Sequence, residues 1–415
     1  MADRDYTLNL YTSVLGNQDA TSYPITELAN GWQRSTRFQG GYWLGNFTVR
    51  DEIDILQELF YVHLGSHVEE RSSGETTWEG LIYDMTLNDD PDAPELLVTV
   101  AGYVHTLNWT HATASDTTVD ADAWVSSILT TNCEFVAAQT MSDNTLQVRS
   151  STKLATRCFD EIMRVTAMGD ASNNLWRFHL TNGRRAIYEQ VNVGVPDYYA
   201  RGGVIRKRSL DSMWNHVAGK YVDEADAVQT LTAASQLDSI GRYGQREQRL
   251  LENNVPQTAM EALRDLFLSE NAWPWPRPVG MSPGAPLYNV IGEDVTENPW
   301  RVKPGICRDM HYPAGGVEQG SMLADVRDFV VDEVEAYWDE NQGKSGLRTK
   351  TDLFEEADAL QGYYQMRYSG LDGANGSGEG GRVDTWAGFK PGSRGWAKLS
   401  PDEQRATKWG KEHME

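Results

Sequence analysis

The sequence predicts a mainly β protein with an α+β insertion, and three features of the chain support this fold class. Apolar and polar residues alternate through most of residues 1–114, which is the pattern of strands with one buried face. From about residue 117 the spacing of apolar residues becomes helical, and an Asn182-Gly183 pair then predicts a tight β-hairpin. No repeat recurs with a period of about 20 to 50 residues, so the chain is not a solenoid or a propeller.

The first 114 residues predict a small β-barrel in which strands surround one short helix. Three turn signals divide this segment: the Gly40-Gly41 pair, Gly65 at the end of the helix, and a hairpin turn near Ser73-Gly74. The elements in chain order are a half-buried strand (4–14), a bulged strand or hairpin (35–50), an amphipathic helix (51–65), a hairpin (67–88) and a strand after an acidic loop (95–107).

Residues 115–204 predict an α/β unit, because two helical segments precede a hairpin. The first helix begins near residue 117 with an acidic first turn, and the second runs from Thr152 to a terminal Gly169. The hairpin covers 174–191 and turns at Asn182-Gly183, a pair that is the strongest short signal for such a turn.

The remaining chain predicts further strands, two helices and an extended tail. Thr258, as N-cap, and Glu261 have the spacing of a capping box, and they predict a helix over 258–272 that the Trp- and Pro-rich segment 273–278 ends. The other elements in chain order are strands at 215–223 and 228–235, strand candidates within 300–313 and 322–340, a helix (352–368), a glycine linker (370–381) and a Trp-containing tail.

Charge and composition exclude two broad classes of protein. The chain has 60 acidic and 37 basic residues and a formal net charge of −23, and such a surface repels duplex DNA. The longest apolar run lies near 95–104 and is far shorter than the roughly 20 residues of a membrane helix, and the first residues show no signal peptide. The acidic excess leaves two explanations open: a source whose proteins favour Asp and Arg, or a surface that must not bind polyanions.

The three cysteines, Cys133, Cys158 and Cys307, lie far apart in the sequence and form no C-x-x-C pair. An odd number of cysteines at such spacing argues against a disulfide framework and against a thiolate zinc site. We therefore expect three ordinary buried thiols.

Short motifs for metal or nucleotide binding are incomplete in this chain. His63 and His67 are four residues apart, but Gly65 lies between them and no Glu follows the first His, so the helical zinc motif is not formed. The fragment 341–346 lacks the first glycine of a phosphate-binding loop, and the acidic loop 88–95 lacks the ligand pattern of a calcium loop.

Signals for catalysis are also weak. No G-x-S-x-G turn is present, and the sparse histidines offer no triad partners. A chain with 60 acids could hold a glycosidase carboxylate pair, but nothing in the sequence distinguishes one pair from the others. Glycosylation sequons begin at Asn46 and Asn108, inside strand-like runs, and would need a secretory route. The sequence therefore predicts no catalytic, cofactor-binding or metal-binding residue.

The stretch DSIGRYGQRE, residues 238–247, has two explanations. Its glycines, Gly241 and Gly244, and its arginines, Arg242 and Arg246, could contact a phosphate, but such a loop normally follows an apolar strand, and the run before this one is polar. We expect instead a structural corner at which a strand turns sharply, with backbone freedom from the glycines and the arginines paired with acids.

The order of these segments resembles that of the tail hub proteins of tailed phages, the group that includes the T4-type baseplate hub. The resemblance rests on four stretches and covers roughly residues 1–368. They are the Gly-broken strand STRFQGGYWLGNFTV with a following helix and the hairpin WEGLIYDMTLN, the strand LLVTVAGYVHTLNW, the insertion at 117–191, and the segment NHVAGKYVD … LTAASQLDSIGRYGQRE.

This resemblance implies two small β-barrel domains, an outer α/β domain and a C-terminal extension. The implied parts are a first hub barrel (1–114), an outer domain (115–204 with 248–285), a second hub barrel (205–247 and 286–351), a helix (352–368) and a Gly-rich linker with an extended tail (369–415). Three chains would present six barrels around an axis and match a hexameric tail tube. DSIGRYGQRE would be the corner where a barrel strand leaves for the outer domain.

The resemblance also implies a structural virion protein at the tail tip, assembled in the host cytoplasm, without catalysis or a cofactor. Expected partners are further copies of the chain in a homotrimer, a distal tail or tail tube protein, a tape measure protein, and fibre or spike proteins, while DNA passes without specific binding. Two alternatives stay open. One is a receptor- or carbohydrate-binding tail component that uses Trp386, Trp396 and Trp409, and the other is a tail-associated cell-wall hydrolase.

Overall fold

The structure of the chain, a computed structural model, covers most of the sequence up to residue 352. It describes residues 4–14, 22–90, 92–113, 118–149, 156–170, 174–192, 195–207, 209–211, 213–223, 227–252, 257–274, 277–282, 284–310 and 328–352. The predicted helix at 352–368, apart from its first residue, and the predicted linker and tail at 369–415 lie outside these residues.

Strands dominate the described chain, in agreement with the predicted mainly β class. The strands are β1 (Thr7–Val14), β2 (Ser22–Pro24), β3 (Asn30–Arg37), β4 (Gly40–Val49), β5 (Ser66–Ser72), β6 (Glu75–Asn88), β7 (Glu95–Gly102), β8 (Thr118–Asp120), β9 (Ala138–Met141), β10 (Gln147–Arg149), β11 (Trp176–Thr181), β12 (Arg185–Gln190), β13 (Tyr198–Ala200), β14 (Val204–Lys207), β15 (His216–Val222), β16 (Val228–Ser235), β17 (Glu247–Glu252), β18 (Arg277–Met281), β19 (Leu287–Tyr288), β20 (Gly305–Asp309), β21 (Asp328–Asp339) and β22 (Lys344–Asp352).

Five α-helices and three short 3-10 helices accompany the described strands. The α-helices are α1 (Ile53–Val62), α2 (Ala121–Asn132), α3 (Cys158–Ala167), α4 (Leu237–Tyr243) and α5 (Gln257–Asn271). The 3-10 helices are Tyr103–Asn108, Val295–Glu297 and Pro299–Arg301. No helix among the described residues is long and apolar enough to cross a membrane.

Strands from both ends of the described chain belong to one 15-stranded sheet. Its main path runs β19-β13-β20-β21-β3-β4-β7-β6-β5-β1-β2, and β22, β11, β12 and β9 branch from it. Strand β21 joins the two halves, because its first residues pair with β20 and its later residues pair with β3 along the same edge. One continuous sheet therefore contains strands from both the early and the late part of the chain.

The first unit, β1 to β7 with α1, curls around one apolar core. Alternate side chains of its strands point inward, and Leu56 of α1 packs among them. Trp300 and Trp338 enter this core from the late part of the chain, and the Tyr6 ring lies 4.4 Å from that of Trp300. The described strands do not close into a barrel, because β3 ends the run by pairing with β21 and not with β1 or β2. The two-barrel form of the fold thus stays a prediction.

A second core lies under the late strands, and a third belongs to the outer part of the chain. The second is formed by buried residues of β13, β19, β20 and β21, together with Val302. The third contains α2, α3, β11 and β12, and it continues into β15, β16, β17 and α5 through residues such as Val217 and Leu263. This core therefore includes residues from 205–247 as well as from 115–204 and 248–285.

Strands β15 and β16 lie within 205–247, a range that the resemblance assigns to the second barrel. That barrel was expected to combine 205–247 with 286–351, but β15 and β16 pair with each other and with β17 in a separate three-stranded sheet. Helix α5 packs on this sheet, and its buried Met260 and Leu263 lie in the outer core. Burial against α5 decides the placement, which the alternation of apolar residues alone does not specify. The exact domain boundaries stay a prediction.

One predicted hairpin turn forms at Ser73-Gly74, and the other forms one residue later than predicted, at Gly183-Arg184. Ser73 and Gly74 have φ of 52° and 82°, and Gly183 and Arg184 have φ of 70° and 53°, which are the positive values that tight hairpin turns need. Gly65 ends the α1 region with φ of 83°. Local sequence therefore predicts these turns because each depends on two or three adjacent residues.

The stretch 238–247 is a short helix and its exit, not a sharp turn of a strand. Helix α4 ends at Tyr243, and Gly244 follows with φ of 79° and ψ of 164°. Asn215, which is fully buried, donates to the Gly244 carbonyl at 2.8 Å and accepts from the Arg246 backbone N–H at 2.7 Å. The Arg246 side chain donates to the Met213 carbonyl at 3.1 Å.

Helix α5 also begins earlier than predicted. Thr258 was expected as its N-cap, but it is the second residue of a helix that starts at Gln257. The Gln257 side chain donates to Glu261 at 2.8 Å, so this glutamate contacts a different residue of the first turn.

The backbone conformation at residue 244 predicts a difference between the two glycines of this stretch. Gly244→Val should lower the free energy of unfolding by about 1 to 3 kcal/mol, because a side chain there must occupy a region open almost only to glycine. Gly241→Ala is the matched control, since Gly241 lies inside α4 with nothing near its Cβ position, and it should stabilise by about 0.5 to 1 kcal/mol. Chemical denaturation measures both, and equal effects would contradict the assignment of Gly244.

Candidate functional site

The histidines that the sequence placed four residues apart do not form a ligand pair. His63 follows α1, and its Nδ1 lies 3.3 Å from the Ser66 hydroxyl. His67 lies in β5, and its Nδ1 lies 2.7 Å from the Tyr103 hydroxyl. Each ring nitrogen named here already has a hydroxyl partner. Among the described residues, no group of three or more His, Cys, Asp or Glu side chains could hold a metal ion.

The other motif fragments lie in turns between strands or within regular elements. Residues 341–346 form the turn from β21 to β22 and the start of β22, so the strand–loop–helix context of a phosphate-binding loop is not present there. The acidic segment 88–95 joins β6 to β7. The sequon residue Asn46 lies within β4, and Asn108 ends a 3-10 helix.

One pair of carboxylates is distinguished by the structure, although the sequence could not select it. Glu69 of β5 and Glu79 of β6 are direct cross-strand partners, and their exposed fractions are 6% and 5%. Like charges directly opposite each other are normally destabilising, and burial increases that cost. These two residues must therefore be held by specific partners.

The surroundings of the two carboxylates shift their pKa values in opposite directions. Burial raises the pKa of Glu79 to about 7, and the backbone N–H groups of Arg184 and Gly183 offset only part of this effect. Burial also acts to raise the pKa of Glu69, but hydrogen bonds from Thr76, Tyr11 and Arg71 outweigh it and hold that pKa below its ordinary value. The Tyr11 hydroxyl donates to Glu69 at 2.6 Å.

Glu79 attaches the outer unit to the first unit. Its carboxylate accepts the backbone N–H of Arg184 at 2.6 Å, and Arg184 lies in the turn between β11 and β12. The Arg184 guanidinium lies over the Tyr103 ring, 5.8 Å from its centre, and Tyr103 in turn contacts His67. The tip of the hairpin is thus bound to β6 by a buried carboxyl group.

This cluster has the chemical groups of an acid–base site but not the access that one requires. Carboxylates with separated pKa values are a feature of glycosidase active sites. Here, however, both side chains are almost fully buried, and their hydrogen-bonding capacity is used by protein groups. A polysaccharide cannot reach them without unfolding the hairpin, so the geometry favours a structural role.

A second buried polar cluster lies inside the first unit and centres on Glu70. This side chain is fully buried, and it accepts from the Trp32 indole at 2.6 Å and from the Thr77 hydroxyl at 2.6 Å. The Arg34 guanidinium, which is 2% exposed, lies 3.4 Å from the same carboxylate and also donates to the Trp300 carbonyl. The cluster connects β3, β5 and β6 with the 3-10 helix at 299–301.

Two exposed apolar sites on the described surface are suited to protein contacts. One is the end of α1 and the loop after it, where Tyr61, Val62 and Leu64 are 78%, 64% and 58% exposed. The other is the turn at Val290 and Ile291, held by the Asn289 side chain through hydrogen bonds with the backbone N–H groups of residues 291 and 293. The sequence predicted α1 but not which of its apolar residues stay exposed.

Comparison with known proteins finds similarity in fold and not in sequence. No family model and no curated protein matches the sequence. A tail protein from Neisseria meningitidis MC58 has a TM-score of 0.55 at 10% identity, covering 85% of this chain and 99% of that protein. The tail protein of prophage MuSo2 from Shewanella oneidensis has a TM-score of 0.50 at 8% identity, covering 86% and 98%.

A prophage tail protein from Listeria monocytogenes EGD-e gives a similar result. Its TM-score is 0.50 at 10% identity, and the match covers 89% of this chain and 99% of that protein. The described part of this chain therefore has the fold of phage tail proteins. The resemblance inferred from the order of the segments is confirmed at the level of fold.

The buried ion pair predicts a large effect for one arginine and a small one for another. Arg34→Met should lower the free energy of unfolding by about 3 to 5 kcal/mol, because it leaves the buried Glu70 carboxylate without its cation. Arg348→Met is the matched control: Arg348 pairs with Glu335 at 2.7 Å on the surface, and its loss should cost about 1 kcal/mol or less. Denaturant titration of both variants tests this, and equal losses would contradict the role of Glu70.

The raised pKa of Glu79 predicts a pH-dependent effect of Glu79→Gln. The folded-state pKa of about 7 lies above the ordinary value of 4.5, so this carboxyl group makes the free energy of unfolding fall as pH rises between those values. Gln removes the charge and keeps a carbonyl acceptor for the Arg184 N–H. We expect the variant to gain on the order of 2 kcal/mol relative to wild type between pH 5 and pH 8.

The variant and the wild type must be compared at each pH, because His67 changes the free energy of unfolding with pH in the opposite direction to Glu79. Burial lowers the pKa of His67 to about 4, so its contribution to stability rises with pH, and it is present in both proteins. Glu69→Gln serves as the contrast and should destabilise at neutral pH, because its hydrogen-bond donors favour the charged form. A constant difference between wild type and Glu79→Gln across the pH range would refute the assignment.

Proposed function

We propose that the chain is a structural component of a phage tail tip, a hub that caps the tail tube. The observation that supports this most directly is the shared fold, which extends over 98–99% of three tail proteins at 8–10% identity. Agreement over nearly the whole of those proteins favours a common architectural role, although fold by itself does not assign function.

We infer no catalytic activity for this chain. The most suggestive acid–base pair, Glu69 and Glu79, is buried and holds a hairpin. This reduces the support for a cell-wall hydrolase, the enzymatic alternative.

In the proposed assembly three copies surround an axis, and each contributes two curled β units to a sixfold ring. The first would be residues 1–114, and the second would contain the late strands around β20 to β22. The ring would line the channel through which DNA leaves, and its neighbours would be a tube or distal tail protein, a tape measure protein and fibre or spike proteins. A chain with net charge −23 suits such a channel, because an acidic wall does not retain phosphate groups.

The oligomeric state tests this proposal. Light scattering and native mass spectrometry of the full chain should give a species with three times the chain mass of 46.5 kDa. Because each copy is strongly acidic, the trimer should be more stable in 0.5 M salt than in 0.05 M salt, where repulsion is less screened (Debye lengths on the order of 4 and 14 Å). A monomer at both salt concentrations and at high protein concentration would overturn the proposal.

A further inference from the structure

An open groove lies on the outer unit where the start of α4 meets the end of α5, and its volume is about 310 Å³. This volume is at the lower end of the range of small-molecule sites, roughly 300 to 1,000 Å³. One face of α5 and its continuation forms most of the lining, with residues at the i, i+3, i+4 and i+7 positions of a helix. The lining residues are Asp265, Leu268, Ser269 and Ala272, together with Gln236 and Trp273.

Buried polar contacts hold the two helices of the groove in a fixed arrangement. Ser239 of α4 is fully buried, and its hydroxyl donates to the Ala272 carbonyl at the end of α5. Asn215, which is also fully buried, donates to the Ser239 hydroxyl at 3.2 Å and to the Gly244 carbonyl at 2.8 Å. Because α4 is tied near its start and at its exit, the groove is formed before a ligand arrives. Binding there costs little ordering of the protein.

The end of the groove at Trp273 is aromatic and apolar. The Tyr243 ring lies 6.2 Å from the Trp273 ring in a T-shaped arrangement, with an angle of 83° between the planes, and this contact orients the indole. Trp273 is half-buried, so part of its indole is open to the groove. The face of an aromatic ring carries partial negative charge and attracts polarised C–H groups. This end therefore suits a ligand with a flat face of C–H groups.

The rim of the groove has polar groups that are only partly used by the protein. Both Arg264 nitrogens that contact Asp265 reach the same oxygen, Oδ1, at 2.7 Å, so the pair leaves Oδ2 to accept from a ligand. The Ser269 hydroxyl donates to the Leu266 carbonyl at 2.7 Å and can still accept. Gln236 precedes α4, but its side chain does not cap the helix, so its amide can donate and accept.

We propose that this groove binds a neutral saccharide, with one sugar ring on the Trp273 indole and sugar hydroxyls at Asp265, Ser269 and Gln236. A pyranose ring combines a face of C–H groups with a rim of hydroxyls, and these match the two parts of the groove. Among the described lining residues the one charged group is the Asp265 carboxylate, on a chain of net charge −23. Like-charge repulsion therefore acts against acidic sugars and phosphorylated ligands.

The saccharide groove is independent of the proposed hub role, because it depends only on contacts within the outer unit. It also differs from the sugar site considered from the sequence, which used Trp386, Trp396 and Trp409, residues that lie outside the described structure. On a tail tip the ligand would be a glycan of the cell surface. Only this last consequence rests on the proposed function.

The experiment uses the full chain and three neutral probes, maltotriose, cellotriose and chitotriose, in saturation-transfer difference NMR. At least one should bind saturably with a Kd on the order of 1 mM, because an open groove covers little of its ligand. Its ring C–H protons should receive the strongest saturation. The comparison probes are the acidic trisaccharide sialyllactose and a proline-rich peptide. Saturable binding of none of the neutral probes, or tighter binding of either comparison probe, would overturn the proposal.

Substitution of two tryptophans locates the site. Trp273→Ala should weaken saccharide binding by about tenfold or more, since it removes the aromatic face. Trp109→Ala is the matched control: Trp109 is 48% exposed and also makes a T-shaped contact, with Phe135 at 5.3 Å, but it does not line the groove. Binding by this control should equal that of the wild type. Equal losses in the two variants, or none in Trp273→Ala, would refute the assignment.

A second variant blocks the groove without removing a half-buried ring, whose loss could weaken folding. Ser269→Arg places a long side chain in the groove from an exposed position, and at i+4 from Asp265 it also pairs with that carboxylate. Binding should weaken by about tenfold or more while the melting temperature is retained, whereas Ser269→Ala should bind within about threefold of the wild type. Binding that survives Ser269→Arg would place the saccharide elsewhere and contradict the proposal. A monomer that binds saccharide would refute only the trimer, so the two proposals fail separately.

Discussion

A buried glutamate, Glu70, imposes the constraint on which the first unit depends. A carboxylate without access to water needs hydrogen-bond donors and a cation close to it, and Glu70 obtains them from Trp32, Thr77 and Arg34. Arg34 also donates to the Thr36 hydroxyl and to the carbonyl of Trp300, which lies 266 residues later in the chain. The polar interior of this unit is therefore complete only when the late part of the chain has returned to it.

A buried carboxyl group also attaches the outer unit to the first unit. Glu79 binds the tip of the β11–β12 hairpin through a backbone N–H, and β11 continues the contact by pairing with residues 40 and 41 of β4. A side chain at Gly41 would overlap the backbone of Leu180, so the glycine there permits the close approach of the two strands. Buried carboxylates and close backbone contact thus hold together parts that distant sequence segments supply.

A fold that is held by backbone pairing and buried contacts is consistent with the low sequence identity to the tail proteins that share it. At 8–10% identity nearly every side chain differs, yet 85–89% of this chain can be superposed on theirs. Sheet pairing uses backbone groups, and many combinations of apolar residues can fill one core. The exposed apolar sites at α1 and at residues 290–291 are features of the protein surface and not of any motif.

The sequence by itself determined the short-range features of this protein: the turns at Ser73-Gly74 and near Asn182-Gly183, the helix α1, the strands β15 and β16, and the order of segments that resembles tail proteins. Each depends on adjacent residues or on a local period, and these act before any distant contact forms. Only the tertiary structure decided which strands pair, that β15 and β16 join α5, and that Glu69 faces Glu79. These pairings depend on burial shared between distant segments, and a local pattern cannot specify its partner.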